Sequence, residues 1–131
     1  MTQFLDINAQ DEALIQLARE TLARCYREER HTVAAAVMCG SGRTYTGVNI
    51  ESCGYGPCAE PIAIGAAITA GENEFAAIVA VSRNGVLSPC GNCRQLLLDY
   101  APNAMVILVI DSAVKKTAAR NLLPGCYTNF E

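Results

Sequence analysis

The sequence predicts an α/β protein in which helices cover both faces of a mostly parallel sheet. The first observation is the order of the elements, since strands and helices alternate after an initial hairpin. The second is a pair of short apolar runs, at 76–82 and 104–110, which are typical of buried parallel strands. The third is a helix at 58–70 that is apolar nearly all round, so it must be buried inside a layer or against another subunit.

Each element is predicted from its own local pattern. In chain order these are helix 11–29, strands 32–39 and 44–50, helix 58–70, strand 76–82, helix 90–100, strand 104–110 and helix 117–123. The first helix has apolar residues at helical spacing, and it begins with acidic residues that suit the positive end of a helix. The segment Ser41-Gly42-Arg43 predicts a hairpin turn between the first two strands.

Length and composition limit the kind of protein. With 131 residues, 51% hydrophobic and 18% charged, the chain is expected to form one domain over 1–131. No uncharged apolar run reaches the roughly 18 residues of a membrane span, and the first residues lack the features of a secretory signal. We therefore expect a cytoplasmic location without membrane association. The net charge of −3 and the scattered basic residues argue against a nucleic-acid partner.

Three of the seven cysteines have a spacing that indicates a metal site. The odd number favours reduced thiols over a disulfide framework. Cys58 begins one predicted helix, and Cys90 and Cys93 begin the next, where the positive helix end favours thiolate. Helices that start at the same sheet edge bring such residues together. Three protein ligands leave one position of a tetrahedral zinc ion open, which is the arrangement of a catalytic site.

Glu60 follows the first of these cysteines by two positions, so its carboxylate is expected beside a zinc-bound water. Zinc lowers the pKa of that water, and a neighbouring carboxylate moves the proton. Two other interpretations remain at this point. Glutamate is also common in the first turn of an ordinary surface helix, so Glu60 could have no catalytic role. Cys53 offers a fourth thiolate, which would close the site as a structural zinc module.

The motifs Cys58-Ala59-Glu60 and Pro89-Cys90-Gly91-Asn92-Cys93 resemble the paired signature of the zinc-dependent cytidine deaminase superfamily. Further similar segments are 46–51, 93–95 and 122–127, and the resemblance runs from about residue 11 to 130. It is greatest to the blasticidin S deaminases, on the segments 56–60, 87–91 and 96–102. The resemblance implies a three-layer α-β-α sandwich, with a five-stranded mixed sheet and an N-terminal antiparallel hairpin.

The resemblance also implies an activity. The implied protein is a hydrolase with one Zn²⁺ per subunit, and Cys58, Cys90 and Cys93 hold this ion. Zinc-bound hydroxide attacks C4 of the cytosine in cytidine, deoxycytidine or the antibiotic blasticidin S, and Glu60 shuttles the proton until uracil and ammonia form. Such enzymes serve pyrimidine salvage or antibiotic resistance, and the small members of the superfamily are homotetramers.

The same resemblance assigns substrate contacts. Asn49 and Glu51 are expected to bind sugar hydroxyls, and the backbone N–H of Ala59 is expected to hold the pyrimidine O2. Other candidate pocket residues are His31, Tyr55, Tyr127 and Phe130.

The chain departs from the family pattern at two positions. Three other functions are also considered, and each would require a particular sequence feature. His31 stands where cytidine deaminases have a phenylalanine, and Pro61 replaces an arginine that offsets the charge of the thiolates. Helix N-termini and Arg94 are the candidates to compensate. A polynucleotide deaminase would need a basic stripe, and a purine deaminase typically has histidine in place of Cys58. A non-enzymatic zinc module would need Cys53.

Overall fold

The computed structural model describes residues 3–128. Its elements are β1 Leu5–Asp6, α1 Ala9–Cys25, β2 Val33–Cys39, β3 Thr44–Val48, α2 Ala59–Thr69, β4 Phe75–Ser82, β5 Gly85–Leu87, α3 Gly91–Tyr100, β6 Met105–Ile110, β7 Ala113–Ala118 and a 3₁₀ helix Ala119–Leu122. The strands form one sheet in the order β1-β7-β6-β4-β2-β3, and β5 pairs with β4. In this described part, no helix is both long and apolar enough to cross a bilayer.

The central strands divide the core between the two faces of the sheet. Successive side chains of a strand point to opposite faces. In β4, Ile78 and Ala80 therefore pack with α2 and α3, whereas Val79 and Val81 pack with α1. Helices thus cover both faces, so the predicted α/β class and three-layer arrangement are confirmed.

The sheet is mixed as expected, but two details of the prediction were wrong. It has seven strands rather than five, because the short strands β1 and β5 add to its edges. It is also not mostly parallel, since β4 and β6 form the parallel pair and the other pairings are antiparallel. The reason is that β2 runs antiparallel to β4, and that both β2–β3 and β6–β7 are joined as hairpins.

Two predicted helices were wrong in extent or type. The first helix ends at Cys25, and Glu29 lies in a turn with a left-handed φ of 63° rather than at a solvated helix end. The predicted helix 117–123 is instead the end of β7 followed by one 3₁₀ turn. Strand β7 is held by ion pairs to the N-terminal part of the chain, because Lys116 Nζ lies 2.7 Å from Asp11 Oδ2 and Lys115 pairs with Asp6 of β1.

Helix α2 lies unusually close to β3, and this closeness depends on a glycine. A Cβ on Gly47 would lie 2.6 Å from the backbone nitrogen of Ala63 and 2.7 Å from Cγ2 of Ile62. The inner face of α2 is buried, but its outer face leaves Ile68 42% exposed. The close approach fixes the start of α2 beside the chain that leaves β3, and the candidate site is built there.

Candidate active site

Three thiols meet where two helices begin. Cys58 and Cys90 are the N-cap residues of α2 and α3, and their backbones are nearly the same (φ −67°, ψ 170° and φ −72°, ψ 174°). Cys93 lies in the first turn of α3. The Sγ of Cys90 is 3.7 Å from the Sγ of Cys58 and 3.4 Å from the Sγ of Cys93. The structure therefore brings together the three cysteines that the sequence singled out.

The spacing of these sulfurs fits a zinc ion. Zinc–sulfur bonds of roughly 2.3 Å in a tetrahedron separate the sulfurs by about 3.8 Å. Both measured separations are close to that value. Cys53 is exposed and does not belong to the group, so a zinc ion would be held by three thiols, which would leave its fourth position for water or substrate.

The electrostatics of the group also favour a bound cation. Burial is the main cause that raises the pKa of Cys58 and of Cys93, and the negative charges of Glu60 and the neighbouring sulfurs add to it. Burial acts on Cys90 in the same direction, but hydrogen bonds from the Cys93 backbone and the adjacent thiols outweigh it and lower the pKa. Three thiolates at this spacing repel one another, and a divalent ion removes that repulsion.

Glu60 lies in the first turn of α2, next to the thiols. Its side chain is buried, with 7% of the residue exposed. Burial is the main cause that raises the pKa of its carboxyl group above the usual value. A buried carboxyl group beside three thiols can accept a proton and release it again within the cavity, as general acid–base catalysis requires.

A cavity of about 300 Å³ opens above the thiols and Glu60. Its lining residues are Thr32, Val33, Asn49, Glu51, Gly56, Cys58, Ala59, Glu60, Ala80, Leu87, Ser88, Cys90 and Cys93. The volume is at the lower end of the range of small-molecule sites. Of the described residues in this lining, none is lysine, arginine or histidine, so the cavity carries acidic groups and no cationic side chain.

The end of the cavity away from the thiols is built around Asn49, which follows β3. Its Oδ1 accepts hydrogen bonds from the backbone N–H groups of Thr32 and Val33, at 2.8 Å and 2.9 Å. Its Nδ2 donates to Glu51 Oε2 at 2.9 Å and to Thr32 Oγ1 at 3.3 Å. These bonds join Asn49 and Glu51 into one unit at this end.

The remaining candidates that the structure describes lie outside the cavity lining. The Nδ1 of His31 lies 2.8 Å from the backbone oxygen of Asn49, and because a carbonyl oxygen only accepts, Nδ1 is the donor. Tyr55 and Tyr127 are 80% and 78% exposed. Phe130 lies outside the described residues. Arg94 donates from Nε to the Pro89 oxygen at 2.9 Å, so it holds the backbone before Cys90.

Six lining residues were not among the candidate site residues, namely Thr32, Val33, Gly56, Ala80, Leu87 and Ser88. No local sequence pattern marks Thr32, because its contact with Asn49 spans 17 positions. Gly56 allows the loop before α2 to fold tightly, since a Cβ there would lie 3.0 Å from the Ile50 oxygen. Ser88 Oγ donates to the Val109 oxygen at 3.2 Å. For Gly56 and Ser88 a signal exists, because each lies two residues before a zinc-motif cysteine.

Comparisons with known proteins agree with this geometry. A family model described as "Cytidine and deoxycytidylate deaminase zinc-binding region" matches residues 8–109. A blasticidin-S deaminase of Bacillus cereus is 36% identical over 134 residues, which cover 94% of this chain and 96% of that protein. A cytidine deaminase of Mycobacterium tuberculosis is 37% identical over 101 residues, which cover 75% of this chain and 74% of that protein.

Solved structures give the same result for the fold. The crystal structure of a cytidine deaminase from Burkholderia pseudomallei superposes with a TM-score of 0.77 at 32% identity, and covers 92% of this chain and 100% of that chain. The sequence signature, the thiol group and these matches lead to one conclusion: the chain belongs to the cytidine and deoxycytidylate deaminase zinc-binding family.

Proposed function

We propose that the protein is a zinc-dependent hydrolase that converts the cytosine of a free nucleoside to uracil and ammonia. The observation that carries the proposal is the position of a buried carboxylate, Glu60, in the same small cavity as three thiols at zinc spacing. Cys58, Cys90 and Cys93 would hold one Zn²⁺ per subunit. Zinc in that position supplies a Lewis acid that lowers the pKa of a coordinated water.

The chain's own residues then position the base and move protons. Glu60 takes a proton from the attacking water, delivers it to N3 of the ring, and transfers the second proton to the amino group that leaves C4 as ammonia. The backbone N–H of Ala59, which begins α2, would donate to the pyrimidine O2. Asn49 and Glu51 form the end of the cavity assigned to the sugar.

The charge of the cavity favours a nucleoside over a nucleotide. A phosphate group on the substrate would enter a lining that contains Glu51 and Glu60 but, among the described residues, no cationic side chain. Like charges in a partly desolvated site disfavour binding. The net charge of −3 also opposes binding of a polynucleotide. We therefore assign the site to free nucleosides.

Blasticidin S is a second candidate substrate, because the match to the Bacillus cereus blasticidin-S deaminase spans nearly the whole of both chains. The decisive experiment is ammonia release by zinc-loaded protein from cytidine, blasticidin S and cytidine 5′-monophosphate in parallel. We expect turnover of at least one of the first two and little turnover of the nucleotide. Turnover of the nucleotide alone, or of none of the three, would contradict the proposal. Cys58→Ser is the negative control.

We propose that the enzyme is a homotetramer in the cytosol, where its thiols stay reduced. The support is a set of exposed large apolar side chains, which a neighbouring subunit would cover: Ile50 (43% exposed), Ile68 (42%), Tyr55 and Tyr127. Sedimentation is expected to show a tetramer for the unaltered protein and smaller species for Ile68→Asp. A monomer at micromolar concentration would contradict this assembly.

A further inference from the structure

A second cavity lies on the face of the sheet that α1 covers. Its volume is about 560 Å³, and it opens between α1 and the turn that joins β4 to β5. Its lining includes Arg19 and Tyr26 on the α1 side, and Ser82, Arg83 and Asn84 at the turn, so it is here called the arginine cavity. None of the described residues that line it also lines the cavity above the thiols, so the two cavities are separate.

The two arginines of this cavity have no acidic partner. Among residues 3–128, the ion pairs are made by lysines of β7, so neither Arg19 nor Arg83 takes part in one. Neither guanidinium group donates a hydrogen bond to another described residue. The described lining also contains no aspartate or glutamate. The cavity therefore concentrates positive charge in a chain whose net charge is −3.

Arg83 is held in place without using its hydrogen-bond donors. The Cζ atom of its guanidinium group lies 4.5 Å from the centroid of the Tyr26 ring, which is a cation–π contact. The ring contacts the flat face of the group, whereas the N–H donors lie in its plane and stay free. A guanidinium group with free donors binds two oxygens of a phosphate group at once. Because Arg83 is already ordered, less entropy is lost when an anion binds to it.

The neutral side chains at the turn suit the same kind of ligand. The backbone N–H of Asn84 donates to Ser82 Oγ at 3.1 Å, which closes the turn. Among the described residues, no acceptor is bonded to the hydroxyl hydrogen of Ser82 or to the side-chain amide of Asn84. An anion offers several acceptor oxygens, so these donors add to the two arginines.

We propose that the arginine cavity binds the phosphate group of a small molecule, which Arg19 and Arg83 hold from two different elements. A cavity of this volume also accommodates the rest of a phosphate ester, such as a nucleotide. The cavity above the thiols has the opposite charge, because Glu51 and Glu60 line it without a cationic side chain among the described residues. The two cavities therefore select ligands by charge, one a neutral nucleoside and the other a phosphorylated compound.

The test is calorimetric titration with inorganic phosphate and, separately, with cytidine 5′-monophosphate, at low ionic strength because salt screens exposed charges. We expect Arg19→Gln and Arg83→Gln each to weaken binding of both ligands by at least about tenfold, the lower limit for a hydrogen bond to a charged group. The matched control is Arg24→Gln, which removes another exposed arginine of α1 outside the cavity and should leave the affinities unchanged.

The two ligands also show how much of the compound is recognised. Equal affinities mean that the phosphate group alone is bound, and tighter binding of the nucleotide means that the cavity also contacts the nucleoside part. Either result supports the inference. No binding of either ligand at about 10 mM would overturn it. Nucleotide binding that excess cytidine displaces and that both arginine variants retain would also overturn it, because the nucleotide would then occupy the cavity above the thiols.

Thermal unfolding separates binding from a purely structural role. If Arg83 serves only to pack on Tyr26, Arg83→Gln lowers the melting temperature and leaves the affinity for phosphate unchanged, which would contradict the inference. Arg19 makes no such contact within the described part of the chain, so Arg19→Gln should weaken phosphate binding at an unchanged melting temperature. Full affinity in Arg19→Gln would contradict the inference as well.

Discussion

The two ends of the cavity are built in different ways. At the thiol end, the starts of two helices place Cys58, Cys90 and Glu60, and each position follows from a few neighbouring residues. At the Asn49 end, extended segments that are 16 to 17 positions apart are joined by side-chain hydrogen bonds. The thiol end therefore tolerates little change, because its chemistry needs all its groups at once. The end proposed to bind the sugar rests on a hydrogen-bond network, so we expect substitutions there to adjust affinity.

The largest effect is expected from removing a thiol. Cys93→Ser should lose bound zinc and lower ammonia release to background, because the ion would be left with two thiolates. Metal analysis and ammonia release on the same sample make the measurement. The matched control is Cys53→Ser, which should retain both properties because Cys53 is exposed and outside the group. Equal loss in the two variants would contradict the three-thiol site and favour a closed structural site.

A smaller effect is expected from moving α2 away from β3, which would separate the two ends of the cavity. Gly47→Ala places a Cβ against the backbone of Ala63, so α2 must move away from β3. Overpacking of this kind costs about 1–3 kcal/mol of unfolding free energy. Activity should also fall, because α2 carries Cys58 and Glu60 whereas β3 leads to Asn49.

Chemical denaturation measures this stability change. The control is Gly54→Ala, where a Cβ meets no atom within 4 Å. A stability loss of the same size in both variants would show that the close packing of α2 is unimportant.

The smallest effect is expected at Tyr45, which lies near the start of β3 and outside the cavity lining. Partial burial and the carboxylate of Glu72, which accepts from Tyr45 OH at 3.0 Å, raise the pKa of Tyr45 above 10.0. The folded state therefore binds more protons than the unfolded state above pH 10.0, and stability falls as the pH rises through that range.

Tyr45→Phe should remove this part of the alkaline destabilisation and leave deamination unchanged. Urea denaturation is measured at several pH values between about 8 and 11, on either side of the ordinary tyrosine pKa. It gives the slope of the unfolding free energy against pH for both proteins. If the two slopes are the same, the Glu72 contact does not perturb Tyr45.

The two ends of the cavity also differ in how far the sequence predicts them. The thiol end was predictable because helix starts and cysteine spacing are local, and the hairpin around Gly42 was predictable for the same reason. The strand β7 was not, because Lys115 and Lys116 give it no apolar pattern and their carboxylate partners lie more than 100 positions away. The bonds of Asn49 to Thr32 and Val33 are equally non-local, so the sequence indicates the residue but not these contacts.

The proposed mechanism requires Glu60 to move protons beside a zinc ion held by three thiols. The most direct test is to measure zinc content and ammonia release from cytidine in the same preparation of Glu60→Gln. We expect about one zinc per chain and a rate lowered by at least about a hundredfold, the lower bound for the loss of a general acid–base group. Full zinc content with a rate near that of the unaltered protein would contradict it.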